Sequence, residues 1–254
     1  MLPVSALQEL LQKADSYKQK ISSARPLAKE ELKSLDDYFR IGFTYSSNAL
    51  EGNSLTISET KILLEDGITV AGRPLKDCYE AVGHGSAYDF MLDLARQKNM
   101  SITEDSIKKL HHLFYQKVDA AQAGQYRTVQ VYISGTEYVP PAPDEVSRLM
   151  AHLAAQIHFS WNTLHPVELA AMAHRRLVDI HPFIVGNGRT ARLLMNLILV
   201  NAGYGVVSIP PVLRNDYINA LSASRLLNDM EAFSKLIAEC VIEAERDYCR
   251  LLKL

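Results

Sequence analysis

Cysteine is scarce. Cys78, Cys240 and Cys249 are the three in 254 residues, and no two are spaced as CxxC. That argues against a disulfide framework or a thiolate zinc site, and fits reduced thiols in a cytosolic-type compartment. An excess of one charge is also missing: 27 basic side chains face 29 acidic ones, for a formal net charge of -2. No electrostatic footprint for nucleic acid follows from that balance. Long hydrophobic runs are absent as well. The most apolar stretch, LLMNLILV at 193–200, is too short to span a membrane. The first twenty residues have no basic start, and Gln8, Glu9 and Gln12 interrupt their apolar positions. They predict a helix rather than a targeting signal. Repeats and low-complexity tracts do not occur. What remains is a soluble, cytoplasmic chain without membrane or nucleic-acid partners, 48% hydrophobic and able to bury one large core.

Helical periodicity fills most of the sequence. Residues 5–21 and 29–45 predict two amphipathic helices, divided at Pro26. LTISETKILLEDG predicts a third, capped by Thr56 or Ser58 and stopped at Gly67. Residues 77–97 predict another, and 103–118 one more with Thr103 as its cap. Between 126 and 143 the pattern changes. YRTVQVYISGTEYVPPAP alternates, is rich in β-branched and aromatic residues, and carries SGTE in its middle, so it predicts a β-hairpin ended by prolines. Helices resume at 144–159 and at 166–181, where Pro166 suits a first turn and Pro182 ends the run. RTARLLMNLILVNAG is apolar nearly all round and predicts a buried central helix closed by Gly203. Helices around 214–224 and 229–254 finish the chain.

One stretch concentrates chemistry: HPFIVGNGRTAR, His181 to Arg192. Glycines opening a helix let backbone N–H groups approach an anion, and the helix N-terminus favours negative charge. Asn187 can add a side-chain donor. Arg189 and Arg192, three apart, share one face of the first turn and suit phosphate oxygens. His181, with an ordinary pKa near ~6.5, can accept a proton beside a bound phosphate. Taken singly, each feature is commonplace: GNG is usually a turn, a histidine before proline is usually structural, and the arginines are ordinary surface charges. Their combination within twelve residues favours the functional reading. His111, His112, His158 and His174 fit no zinc spacing, and His174 reads as a core histidine. Tyr217 reads as either an adenine-stacking or a core tyrosine.

This stretch resembles the signature of the Fic (filamentation induced by cAMP) family, H-x-F-x-(D/E)-G-N-G-R-x-x-R. Every fixed position matches except the acidic one, which is Val185. GQYR at 124–127, YVPPAPDEVSRLM after the predicted hairpin and HPVELAAMAHRRLVDIHPF before the loop extend the resemblance, which runs from the mid-forties to about Tyr217. The core is similar to that of the animal endoplasmic-reticulum members. The resemblance implies a mainly α Fic-type core around a buried central helix, with one β-hairpin flap and an N-terminal helical extension. Three regions are expected: 1–100 with an inhibitory motif, 101–215 as the core, and 216–254 as packed C-terminal helices.

It also implies a function: moving AMP from ATP to the hydroxyl of a target protein's Ser, Thr or Tyr. By resemblance His181 is the base. Gly186, Gly188 and Asn187 hold phosphates, Arg189 steadies the β-phosphate and Arg192 the γ-phosphate. A flap at 129–139, with Val131, Ile133 and Val139, holds the target by strand addition. SSNALEGN resembles the family's inhibitory S/T-x-x-x-E-G/N. Ser47, Glu51 and Gly52 match it, although Glu51 alone reads as a solvated charge or a cap. By resemblance Glu51 pairs with Arg192 and holds it away from the γ-phosphate. Mg²⁺ is expected for the family, but Val185 offers it no oxygen, so its protein ligand is missing. Transfer is therefore expected to be slow. Two alternatives stay open: a weak or inactive ATP-binding module, or a Fic transferase using another phosphate-containing donor. Some members of the family dimerise, so a homodimer is an open expectation.

Overall fold

The computed structural model describes residues 5–24 and 26–254. The targeting reading of residues 1–4, and Arg25 in the first linker, lie outside the described residues. Ten α-helices are present among those described: α1 (Ala6–Ser23), α2 (Lys29–Ala49), α3 (Ile57–Glu65), α4 (Leu75–Ala95), α5 (Glu104–Tyr115), α6 (Val146–Ser160), α7 (Pro166–Ile180), α8 (Asn187–Asn201), α9 (Arg214–Leu226) and α10 (Glu231–Leu251). None is long and apolar enough to cross a membrane.

Local chemistry sets the helix ends. Ser5 caps α1 and Thr56 caps α3, each in a reciprocal capping box with Gln8 and Glu59. Of the two caps open for α3, Thr56 takes the position, and Gly67 follows the helix at φ 67°. Thr103 caps α5. Pro166 occupies the first turn of α7, where its missing N–H costs nothing. Gly203, at φ 91°, closes α8 in the left-handed region that glycine tolerates.

Helix α8 is the axis of the molecule. Its apolar residues from Leu193 to Leu199 are fully buried. It packs against α7 and α4, with α5 and α2 completing the surround. Helix α1 lies along α10, and one large hydrophobic core runs through the bundle, with a small separate cluster of Leu55, Leu63, Cys78 and Ala81 between α3 and α4. Each fully buried Leu or Ile contributes roughly 1.5–3 kcal/mol relative to exposure, so the N-terminal end of α8 is anchored by its own core.

The predicted hairpin is corrected. Among the described residues there is no β-strand, and 129–139 is an extended loop turning at Ser134–Gly135, with Gly135 at φ 81°. The turn falls where SGTE predicts it, but the ladder is missing. Side-chain donors take the carbonyls a ladder would use. Arg127 donates to Val129 O and Pro141 O, and Gln130 donates to Val131 O and Pro140 O. Pro140 and Pro141 have no N–H to give in return. Val131, Ile133 and Val139 thus lie on an extended loop rather than on paired strands.

Candidate active site

The site forms where α7 ends and α8 begins. Pro182 disfavours helix at the residue before it, and His181 leaves α7 in the left-handed region at φ 51°, ψ 56°. A non-glycine residue there is strained and needs support. Support comes from Arg127, whose Nε donates to His181 O at 2.8 Å and whose backbone N–H donates to Pro182 O at 2.9 Å.

His181 Nδ1 lies 3.3 Å from Val178 O. A carbonyl only accepts, so Nδ1 carries the proton and Nε2 keeps its lone pair. Burial pushes the imidazole's pKa down, helped by the Arg127 and Arg225 cations, against Val178 O and Glu51, which push it up. The net direction is down, so the ring is neutral at cellular pH and able to take a proton.

Between Phe183 and Gly186 the loop is held from inside. Asn187 Oδ1 accepts from Phe183 N at 2.9 Å, and its Nδ2 donates to Phe183 O at 2.8 Å. The side chain expected to reach a phosphate is thus committed to the loop itself. Gly186 caps α8 at φ 87°, and no side chain of its own satisfies the first-turn N–H groups.

Glu51 stands at this helix N-terminus. A Cβ at Gly188 would collide with Glu51 Oε1, so glycine is what lets the carboxylate seat there. Glu51 Oε1 accepts from Arg192 Nη2 at 2.8 Å. Arg192 is 1% exposed, and Ser47 takes two more of its donors: Ser47 Oγ accepts from Nε at 3.0 Å and Ser47 O from Nη2 at 2.8 Å. Gly52, at φ 87°, turns the chain after α2, leaving Glu51 in the turn beside Arg192. Burial raises the carboxyl's pKa, but Arg192, Arg189 and Arg214 outweigh it and hold the group below its usual range. Glu51 is therefore ionised at pH 7, a carboxylate where a phosphate would also be welcome.

Arg189 is held differently. Its Nη1 meets Glu80 Oε2 of α4 at 2.8 Å and Asn48 Oδ1 at 3.1 Å, and its guanidinium lies 4.4 Å from the centre of the Phe114 ring. Nothing local in the sequence marks Glu80 for this task. Tyr217 is a core residue: 7% exposed, its ring packs against His174 and Phe233, and its hydroxyl bridges Arg192 Nη1 and His174 Nε2. Its faces are not offered for stacking. Of the expected loop residues, Val131 and Ile133 are half-buried and Val139 exposed.

At position 185 a valine side chain packs against the core. Its carbonyl is taken by His111 Nε2 at 2.9 Å. Gly124 N donates to His111 Nδ1 at 2.9 Å, so the ring's proton is on Nε2. His111 also stacks on Phe183 at 3.8 Å. Burial, with Arg189 and His112 adding to it, outweighs the Val185 carbonyl and takes its pKa down to about 4. The residues do not fit a Mg²⁺ ion: the side chain at 185 has no oxygen, its carbonyl is taken by His111, and Glu51 and Glu80 are both spent on arginines. Among the described residues no group of three or more His, Cys, Asp or Glu side chains gathers to hold a metal.

The helical bundle thus brings a neutral imidazole and two buried arginines to one glycine-opened helix N-terminus. Residues 101–199 match the Fic/DOC family model. The chain is 37% identical over 236 residues to "Protein adenylyltransferase Fic" of Nematostella vectensis, covering 92% of this chain and 54% of that one. It superposes on a Fic domain containing signaling protein from Bacteroides thetaiotaomicron at TM-score 0.85 and 31% identity, with 98% of each chain covered. Fic-1 of C. elegans (residues 134–508) gives TM-score 0.88 at 28% identity, over 97% of this chain and 73% of that one. This chain belongs to the Fic/DOC family. It spans about half the length of the Nematostella relative.

Proposed function

We propose that the chain is a Fic-type protein adenylyltransferase, restrained by Glu51 and slowed by Val185. The observation that carries the transfer reading is His181, held neutral with its Nε2 lone pair free, one loop before the anion-favouring start of α8. A target Ser, Thr or Tyr hydroxyl gives its proton to Nε2, and its oxygen attacks the α-phosphorus of ATP. The bond to the α–β bridging oxygen breaks, and pyrophosphate leaves. Gly186 and Gly188 offer backbone donors, and Arg189 and Arg192 neutralise the departing phosphates. Relatives carrying the name protein adenylyltransferase support this reading.

The brake follows from Glu51 occupying the helix start and Arg192 at once. Nucleotide must displace that carboxylate to gain the arginine. The Val185 side chain adds a second limit, because transfer loses the metal's charge neutralisation on the leaving group. Binding does not need it, so ATP affinity is expected to be nearly independent of Mg²⁺. Valine at 185 favours a second reading, a nucleotide-binding regulatory module without transfer.

Labelled ATP with four proteins separates the two: wild type, Glu51→Gly, Glu51→Gly/Val185→Asp, and that pair with His181→Ala. Transfer reading: label on protein rises strongly only in the Val185→Asp pair, with Mg²⁺, and His181→Ala removes it. Module reading: the pair binds ATP well and transfers nothing to itself or to a lysate.

A further inference from the structure

Arg127 has no chemical task in the reaction above, yet it is among the most buried large side chains, at 2% exposure. Its guanidinium donates to carbonyl oxygens alone: His181 O at 2.8 Å, Val129 O at 3.0 Å, Pro141 O at 2.5 Å and, more weakly, Ile180 O at 3.5 Å. A buried cation is costly unless its donors are satisfied. Here the last carbonyls of α7 supply the negative end of a helix dipole in place of a carboxylate. The backbone N–H of Arg127 takes a third consecutive carbonyl, Pro182 O.

Those acceptors belong to two separate pieces of chain. Residues 180–182 carry His181. Val129 and Pro141 begin and end the extended loop. Tyr138 fastens the far arm of that loop to the same helix end, its hydroxyl donating to Asp179 O at 2.9 Å, while the Arg225 guanidinium lies 4.7 Å from the centre of its ring. His181 sits in a strained conformation that persists only where its surroundings over-determine it.

We infer that Arg127 is a positioning residue that binds the His181 turn and both arms of the 129–141 loop into one rigid unit, so that loop and base keep a fixed register. The inference rests on the reading of His181 as the base. A lysine keeps the charge but cannot reach carbonyls on both sides at once, because a planar fork of donors is what the site uses. The charged groups facing His181 are Arg127, Arg225 from α9 and Glu51 from the turn after α2. Removing the nearest of the cations has a direct consequence for the ring's protonation.

The test is hydrogen–deuterium exchange on wild type, Arg127→Lys, Arg127→Met and Gln130→Ala, with circular dichroism confirming the fold. Arg127→Lys should speed exchange about tenfold in peptides covering 177–186 and 129–141 together. Gln130→Ala, which loosens only the loop, should speed exchange in 129–141 alone. NMR titration of the His181 imidazole should show its pKa rise in Arg127→Met and stay near wild type in Arg127→Lys. ATP affinity should change by less than about twofold, since Asn187 and His111 hold the phosphate loop. If Arg127→Lys loosens the loop while 177–186 keeps its protection, or loosens neither, Arg127 is plain loop support and the inference fails. Where Arg127→Met does not fold, Arg127→Lys decides. A Glu51→Gly/Val185→Asp protein that transfers no AMP overturns the proposed reaction, and leaves the exchange result to judge Arg127.

Discussion

Arg189 and Arg192 leave one face of α8 one turn apart, and each meets a carboxylate at 2.8 Å. The two pairs nevertheless belong to different parts of the molecule. Glu80 is 6% exposed and sits on α4, which packs along α8, and Phe114 of α5 lies beneath the guanidinium. Glu51 is 37% exposed and stands in the turn that ends α2. Ser47 and Glu51, three of the four groups holding Arg192 being theirs, come from that one segment, with Tyr217 the fourth. Equal ion-pair lengths therefore hide unequal tasks. The Arg189 pair is enclosed by the core, while the Arg192 pair has its carboxylate at a solvent-facing edge.

The largest expected effect is at the core pair. Replacing Glu80 with Ala leaves a buried, unpaired guanidinium, which costs about 3–5 kcal/mol. At roughly 2–4 °C per kcal/mol for a chain of this size, the melting temperature should fall by about 6–20 °C. A drop of under about 2 °C by circular dichroism would place the Arg189 pair with the edge pair rather than the core.

Next comes acid. His111 titrates near 4 in the folded protein against an ordinary 6.5. Its folded value is the lower one, so its stabilising contribution is complete above pH 6.5 and is lost as pH falls toward 4. The loss is about 3 kcal/mol. His84 and His174, fully buried and pushed well below their usual range by burial, act in the same direction. Urea unfolding at pH 7 and pH 4.5 checks this, and His111→Phe should flatten the dependence. The edge pair loses its contribution only at lower pH, because its arginine neighbours hold the Glu51 carboxyl below its usual range.

The smallest effect is at the edge pair itself. Glu51→Gly should cost less stability than Glu80→Ala, because its carboxylate is more than a third exposed and so already partly screened by water. Arg192 retains Ser47 O, Ser47 Oγ and Tyr217 Oη as acceptors. A thermal melt that moved as far for Glu51→Gly as for Glu80→Ala would erase the distinction between the two pairs.

The same contrast explains what the sequence made readable. Helix caps such as Thr56, Thr103 and Pro166, and the buried face of α8, were legible because their causes lie within one turn of chain. The juxtaposition of Ser47 and Glu51 with Arg192 was legible only through family resemblance. Glu80 and His111 were not legible for these tasks: a mid-helix carboxylate and a histidine carry no local sign of partners far along the chain. Asn187 reads in the sequence as a donor to phosphate and Tyr217 as either an adenine-stacking or a core residue; the fold turns both side chains inward. The absent hairpin is not legible either, because alternation and a turn do not reveal that Arg127 and Gln130 claim the carbonyls.

Calorimetric titration of ATP into wild type, Glu51→Gly, Arg192→Ala and the double variant tests the central claim most directly. If Glu51 and nucleotide compete for Arg192, Glu51→Gly should tighten ATP binding by about tenfold or more in the presence of Arg192, and by little in its absence. An equal gain with and without Arg192, or no gain in either, would contradict the account.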